Sequence, residues 1–470
     1  MKHSPSAAQL DQKYLWHPFT QMRDWMNSKP IVLERGKGAH LWDNAGQKYI
    51  DANSSIWTNL HGHNHPKINR AIRTQLDKVS HVSALGFANS PAAKLGERLI
   101  RLAKPRTRFP KTEPRLAKVF YSDDGSTATE VAIKLAYEHA RRTGRARKPR
   151  FLSVDAGYHG DTIGAVSAGH IDLFHKAYSG MLFKTDKVAS PYCYRCPFNK
   201  AKPQRADARE YRKCNMECVE QVEKKFESRR KLGSDYAAFI VEPGVQGPAG
   251  IIAQPKGWLA RVGAIARAHG TQIIADEVMT GLGRASAGYF ASHAEKIQPD
   301  YLCIAKGLTG GYLPMAATLT TQEVFDSFLG EYDEFKTFFH GHSFTGNPLG
   351  AAASLASLDL LESGNTNQKR SCLAANLKLY SKPLWKLDMV GDIRQSGGVL
   401  AVELVEDWKT RKPFDLSKQV GIRVCNAMAR RGVLTRPIGN VIVIMPPFCT
   451  SQAQVKKIFN TLRDSIKEVT

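Results

Sequence analysis

Between residues 115 and 320 the chain alternates short apolar runs with stretches whose apolar positions recur every three to four residues. The first pattern reads as buried strand and the second as amphipathic helix. "LAKVFYSD", "RFLSVDAG", "YAAFIVEP", "TQIIADEV" and "DYLCIAKG" predict strands, and "TATEVAIKLAYEHARR" and "GWLARVGAIARAHG" predict helices, the latter closed by a glycine. Strands that are apolar almost throughout, with helices between them, indicate a mainly parallel sheet covered on both faces, a doubly wound α/β domain. From 350 onward the pattern changes. A helix over Ala351–Leu361 leads to the strands "GGVLAVELV" and "VIVIMPP", with a helix in "QVGIRVCNAMARRG" between them. This predicts a smaller α+β domain. The segment "GAHLWDNAGQKYID", with its Asp-Asn-x-Gly turn, is expected to join it. The expected division is an N-terminal arm and part of the small domain over 1–65, a large domain over 66–345 and the rest of the small domain over 346–470.

Composition changes this picture little. The 470 residues are 42% hydrophobic, ordinary for a globular chain, and no apolar run approaches a membrane span. The start lacks an apolar leader, so a cytoplasmic protein is expected. The net charge of +24 raises the question of nucleic acid. The densest basic stretch, "RRTGRARKPR" (Arg141–Arg150), joins a predicted helix to a predicted strand and carries no interleaved aromatics, so it reads as a solvated loop. Four of the eight cysteines cluster, with Cys193 and Cys196 as C-x2-C and Cys214 and Cys218 as C-x3-C, in a polar, basic insertion at about 190–220. Such spacing suits a tetrahedral zinc or an iron–sulfur centre, and equally four reduced thiols. The alternating His61, His63 and His65 of "HGHNHP" read as hydrogen-bonding and packing groups.

Open parallel sheets bind ligands beyond the C-terminal ends of their strands. At those ends stand Glu242, Asp276 with Glu277, Lys306, the run Asp123–Ser126 opening a helix, and Tyr158 with His159. Taken singly each is ordinary: "DDGST" is an N-cap, Lys306 a snorkelling lysine, Asp276 a salt-bridge partner. Together they describe one site. A helix N-terminus with Gly125 and Ser126 favours phosphate. A cleft lysine forms a Schiff base with an aldehyde, an aspartate holds a pyridinium nitrogen protonated, and a tyrosine stacks on a flat ring. That is a pyridoxal phosphate site.

"IIADEVMTGLGR", "AKGLTGGYLP", "SDDGSTATEVAIKLA" and "GYHGDT", with the thirty-residue step from Asp276 to Lys306, resemble the class III pyridoxal-phosphate aminotransferases over about residues 14–450. The resemblance implies fold type I and a homodimer with its site at the interface. "WHPFTQM", "HGHNHP", "HGHSFTGNPLGAAA" and "TRPIGNVIVIMPP" are similar to the subgroup that converts 8-amino-7-oxononanoate to 7,8-diaminononanoate in biotin biosynthesis, with S-adenosylmethionine or lysine as donor. By that resemblance Lys306 carries the cofactor and shuttles the proton, Asp276 pairs with the ring nitrogen and Tyr158 stacks on the ring. Gly125 and Ser126, with His342 and Ser343 contributed by a second subunit, hold the phosphate. Glu242 and Gln246 support the cofactor's surroundings. Trp57 and Gly341 face the substrate, Arg436 takes its carboxylate, and Phe19 and Arg284 are implied to face the amino donor. Phe19 departs from the tyrosine typical of relatives that use S-adenosylmethionine, and Ile56 stands where the pattern often has a second tryptophan. S-adenosylmethionine is the expected donor. The competing readings are another ω-amino acid or diamine transaminase, which "WHPFTQM" and "RPIGNVIVIMPP" disfavour, and a basic nucleic-acid-binding protein, which an intact Lys306 and Asp276 disfavour.

Overall fold

The computed structural model describes residues 4–105, 113–146 and 148–470. A seven-stranded sheet is built from β1 (Leu116–Ser122), β2 (Arg150–Val154), β3 (Asp186–Val188), β4 (Tyr236–Val241), β5 (Gln272–Asp276), β6 (Tyr301–Ile304) and β7 (Ala316–Thr321). Its order is β1-β7-β6-β5-β4-β2-β3. Every pairing from β6 through β3 is parallel, whereas β7 runs antiparallel to both β6 and β1. All residues of β4, β5 and β6 are buried, which accounts for their continuous apolar character. This is the mainly parallel, doubly wound sheet expected of fold type I. Two of its strands, β3 and β7, carried no readable strand pattern.

The helix after β1, α1 (Gly125–Arg142), starts in a capping box. The Asp124 side chain accepts from Thr127 N at 3.0 Å, and Thr127 Oγ1 accepts from Asp124 N at 3.1 Å. Ala128, Val131, Ala132, Leu135, Ala136 and His139 form its buried face. The basic stretch after it serves the fold: Arg142 donates to the carbonyls of Ser327 and Lys336, and Arg145 to the side chain of Gln272. Arg147, within that stretch, lies outside the described residues.

The predicted C-terminal elements are present. Val390–Ser396, Val399–Asp407, Val441–Ile444 and Pro437–Ile438 form an antiparallel sheet, and Val420–Arg430 is helical. Near the N-terminus, Leu33–Lys37, His40–Asp43 and Lys48–Asp51 form a further sheet, which Val433–Leu434 joins in parallel beside Ile50 and Asp51. Among the described residues no helix is long and apolar enough to cross a membrane.

The cysteine segment lies between β3 and β4. It is fixed to the C-terminal sheet by polar bonds: Arg195 and Tyr192 bind Glu403, Arg209 donates to Gln395 O, and Ala208 N donates to Asp392. Arg394, fully buried, neutralises Glu403 and Asp392 at 2.7 and 3.1 Å and donates to Ile251 O. The zinc or iron–sulfur centre expected at Cys193, Cys196, Cys214 and Cys218 finds no support. None of the four is in a disulfide, and among the described residues no group of three or more His, Cys, Asp or Glu is placed to hold a metal ion. Burial pushes the Cys193 thiol up to about 12 and that of Cys218 up to about 11, and the neighbouring cysteines of the cluster push in the same direction.

His61 packs inside the molecule, its Nε2 3.1 Å from Ser357 Oγ on the helix Pro348–Leu361. Burial pushes its pKa from 6.5 down to about 3. The unfolded chain therefore binds a proton that the folded chain refuses. The stabilisation is complete above pH 6.5 and is lost as the pH falls toward 3, at about 1.4 kcal/mol per pH unit. In urea unfolding followed from pH 7.5 to about pH 5, His61→Gln is expected to flatten this acid-side slope relative to the wild type.

Candidate active site

The chain crosses from strand to loop on one edge of the sheet, and the groups read from the sequence meet there. A cavity of 470 Å³ is lined by Asp123, Gly125 and Ser126 after β1, Tyr158, His159 and Gly160 after β2, Glu242 after β4, Asp276 at the end of β5 and Lys306 after β6. Pro314 and Met315, leading into the antiparallel β7, also line it.

Lys306 is in the left-handed backbone region (φ +45°), and its Nζ stands 4.9 Å from the centre of the Trp57 ring. Burial lowers the lysine pKa, and the charges of Asp276 and Glu242 only partly oppose this. Asp276 Oδ2 is 2.7 Å from His159 Nδ1, and Asp276 Oδ1 accepts from Val278 N at 3.1 Å. Burial alone would lower the His159 pKa; the bond to Asp276 and its charge outweigh that and hold it raised. Glu242 accepts from Tyr158 N at 3.1 Å and Gly247 N at 2.7 Å, and burial lifts its pKa to about 7. Tyr158 donates to Asp161 Oδ2 at 2.6 Å and stacks at 6.0 Å on His175, whose Nε2 is 3.2 Å from Asp161 Oδ1.

At the phosphate end, Asp161 N donates to Ser126 Oγ at 3.2 Å. Gly160 makes this approach feasible. It has φ +120°, and a Cβ there would fall 2.1 Å from Ser126 Oγ. Gly160→Ala is expected to weaken cofactor retention by about tenfold or more without loss of fold, measured by equilibrium dialysis of the pyridoxal phosphate-loaded protein.

Other expected residues lie outside the cavity lining. Phe19 is exposed on the N-terminal arm and packs edge-on against Phe174 at 5.3 Å; Phe174 meets His175, and His175 meets Tyr158, so an aromatic path links arm to cavity. Trp57 is buried behind Lys306. Gln246 is turned away, binding Ser190 Oγ and Asp155 O. Gly341 and Ser343 are exposed, and His342 pairs with Asp123 of its own chain at 3.2 Å. Arg436 is exposed after Val433–Leu434, and no ion pair engages it among the described residues. Arg284 requires a correction. It is fully buried, and its Nη1 and Nη2 donate to Pro446 O, Asn59 O and Ser54 Oγ, so it ties these segments together rather than facing a donor. One group beside the cavity had no signal in the sequence, and another only a partial one. Asp161 had no signal beyond its place in "GYHGDT". His159 was visible at a strand end, but its bond to Asp276 spans 117 positions and appears only in the fold.

The family described as aminotransferase class-III matches residues 22–466. The chain belongs to the class III aminotransferases. It is 45% identical to the adenosylmethionine-8-amino-7-oxononanoate aminotransferase of Geobacter sulfurreducens, over 98% of this chain and 97% of that protein. It is 40% identical to the protein of the same name from Methanocaldococcus jannaschii, over 97% of each. The crystal structure of an enzyme of that name from M. jannaschii superimposes with a TM-score of 0.89 at 37% identity, covering 98% of both chains. An amine transaminase from an uncultivated Pseudomonas species, solved in a PLP-bound form, gives a TM-score of 0.87 at 31% identity over 97% of this chain and 99% of its own. The class III chain described here is thus a pyridoxal-phosphate-dependent aminotransferase. The cavity fits that cofactor: its lining brings together a capped helix N-terminus with Gly125 and Ser126, the buried Asp276, Lys306 and Tyr158.

Proposed function

We propose that this aminotransferase makes 7,8-diaminononanoate by amination of the 7-keto group of 8-amino-7-oxononanoate, with S-adenosylmethionine as amino donor. The observation that carries this reading is the 40–45% identity, over almost the whole chain, to five proteins bearing the adenosylmethionine-8-amino-7-oxononanoate aminotransferase name. Pyridoxal phosphate, when bound, supplies the electron sink that makes an amine's α-proton acidic.

The chain's own groups do the rest. Lys306, its pKa lowered by burial, is free to accept a proton at Nζ and return it on the same side of the substrate. Asp276, oriented by His159, places a negative charge where a ring nitrogen would be held protonated. Gly125 and Ser126 bind phosphate at the N-terminus of α1, and Tyr158 keeps the ring flat against the cleft. Glu242 fixes the Tyr158 and Gly247 backbones beneath it, with Gln246 as outer support. Trp57 and Gly341 bound the substrate space, and Arg436 receives the substrate carboxylate as a bidentate partner. The assembly is a homodimer in which His342 and Ser343 of each copy complete the other's phosphate cup. Phe339 and Phe344, 72% and 55% exposed beside that loop, fit a face covered by a second copy.

Phe19 stands on the donor side through its path to Tyr158. Mixing purified holoenzyme with each donor separately and recording the cofactor spectrum tests the donor. Conversion to the pyridoxamine form by S-adenosylmethionine is expected; conversion by lysine alone would overturn that part of the proposal.

A further inference from the structure

Residues Ser54, Ser55, Ile56 and Trp57 all have positive φ, between 48° and 69°. Four successive non-glycine residues in the left-handed region are strained, and a β-branched isoleucine most of all. The turn closes through its own bonds, Trp57 N to Asn53 O at 2.8 Å and Thr58 N to Ser54 O at 3.0 Å. Ser54 Oγ anchors its start by donating to Met445 O at 2.7 Å, and the buried carboxylate of Asp51 holds the rest. Its Oδ1 accepts from Asn53 N and Ser55 N at 3.1 and 3.2 Å, and its Oδ2 accepts from Ser55 Oγ at 3.1 Å. His63 completes the set. Asn59 Nδ2 donates to His63 Nδ1 at 3.0 Å, which leaves the ring proton on Nε2, donated to Asp51 Oδ2 at 2.9 Å. The turn in turn aims Trp57. Its indole N–H donates to Asn53 Oδ1 at 2.8 Å, and its ring face lies 4.9 Å from Lys306 Nζ.

We propose that Asp51 and His63 are positioning residues for the reaction: they lock the left-handed turn that lays the Trp57 indole over the Lys306 amine. The ring's π-face attracts the ammonium that lies over it and so favours the cationic form against the burial that opposes it. The proposal rests on the aminotransferase role of Lys306 and goes beyond it, because neither Asp51 nor His63 lines the cavity. Backbone strain persists near functional sites when the surroundings over-determine it, and here every acceptor position of one buried carboxylate is used to do so.

The test uses cofactor-loaded enzyme and the pH midpoint at which its visible absorption changes, a readout of the charge on the lysine–cofactor linkage. Trp57→Ala and Asp51→Asn are each expected to lower that midpoint by about half a pH unit. The double variant is expected to go no lower than Trp57→Ala alone. Adding Ile56→Gly to Asp51→Asn is expected to return the midpoint toward the wild-type value, because glycine adopts the turn without strain. Additive shifts, or an unmoved midpoint in Asp51→Asn, would overturn the proposal. Should Asp51→Asn not fold, Ser55→Ala removes one bond to Asp51 at an exposed position; a smaller downward shift is expected there, and no shift overturns the proposal. A protein that shows no visible cofactor absorption at all would count against the role of Lys306, not against the turn.

Discussion

Lys306→Ala is expected to keep the fold and bind pyridoxal phosphate through the phosphate end of the cavity, yet lose at least about 10⁴-fold in amino transfer. The residue carries two duties that no neighbour can take over. It is the amine that lines the cavity after β6, and it is the base whose proton affinity burial has lowered. Glu242 has a pKa lifted to about 7, but both its carboxylate oxygens are engaged by the backbone of Tyr158 and Gly247. It cannot turn to replace the lysine without giving up those bonds. Single-turnover measurement of donor consumption, with cofactor content checked in the same sample, separates loss of chemistry from loss of cofactor.

Asp276→Asn is expected to cost about 10²–10³-fold in kcat while leaving cofactor affinity within about tenfold. The amide fills the same space at the end of β5 and can still accept from Val278 N, so the backbone has no reason to move. What disappears is the charge. Without it the charge that would hold a ring nitrogen protonated is gone, and His159 loses the partner that raises its pKa against burial. The same substitution also removes one of the two charges that oppose the lowering of the Lys306 pKa. The pH dependence of kcat should therefore shift to lower pH on its lysine-controlled limb, and this is the signature that distinguishes lost electrostatics from a distorted site.

Much of this arrangement was legible in the sequence because the central strands are buried on both faces. β4, β5 and β6 are apolar throughout, and the polar residue that ends each run stands in the cavity: Glu242, Asp276 and Lys306. β3 was not legible because three residues, Asp186–Val188, carry no periodicity. β7, with the sequence AATLTT, lacks the large apolar residues that mark its neighbours, and burial of small residues and threonines does not show in a hydrophobic pattern. At the site, contacts between distant segments were the hidden part. The His159–Asp276 bond is one case and the own-chain pairing of His342 with Asp123 another. Arg284 misled for a physical reason: a conspicuous arginine beside the Asp276 motif suggests a ligand, whereas this one donates to the carbonyls of Pro446 and Asn59 and to the Ser54 hydroxyl. The left-handed turn had no signal at all, since Ser-Ser-Ile-Trp contains no glycine to announce a positive φ.

The central claim is that this chain aminates the 7-keto carbon of 8-amino-7-oxononanoate. The direct measurement supplies that compound to purified, pyridoxal phosphate-loaded enzyme with S-adenosylmethionine, and in parallel with lysine, and detects 7,8-diaminononanoate by mass. Product with S-adenosylmethionine, absent when Lys306→Ala replaces the wild type, is the predicted result; no product with either donor from enzyme whose cofactor spectrum is intact would contradict the account.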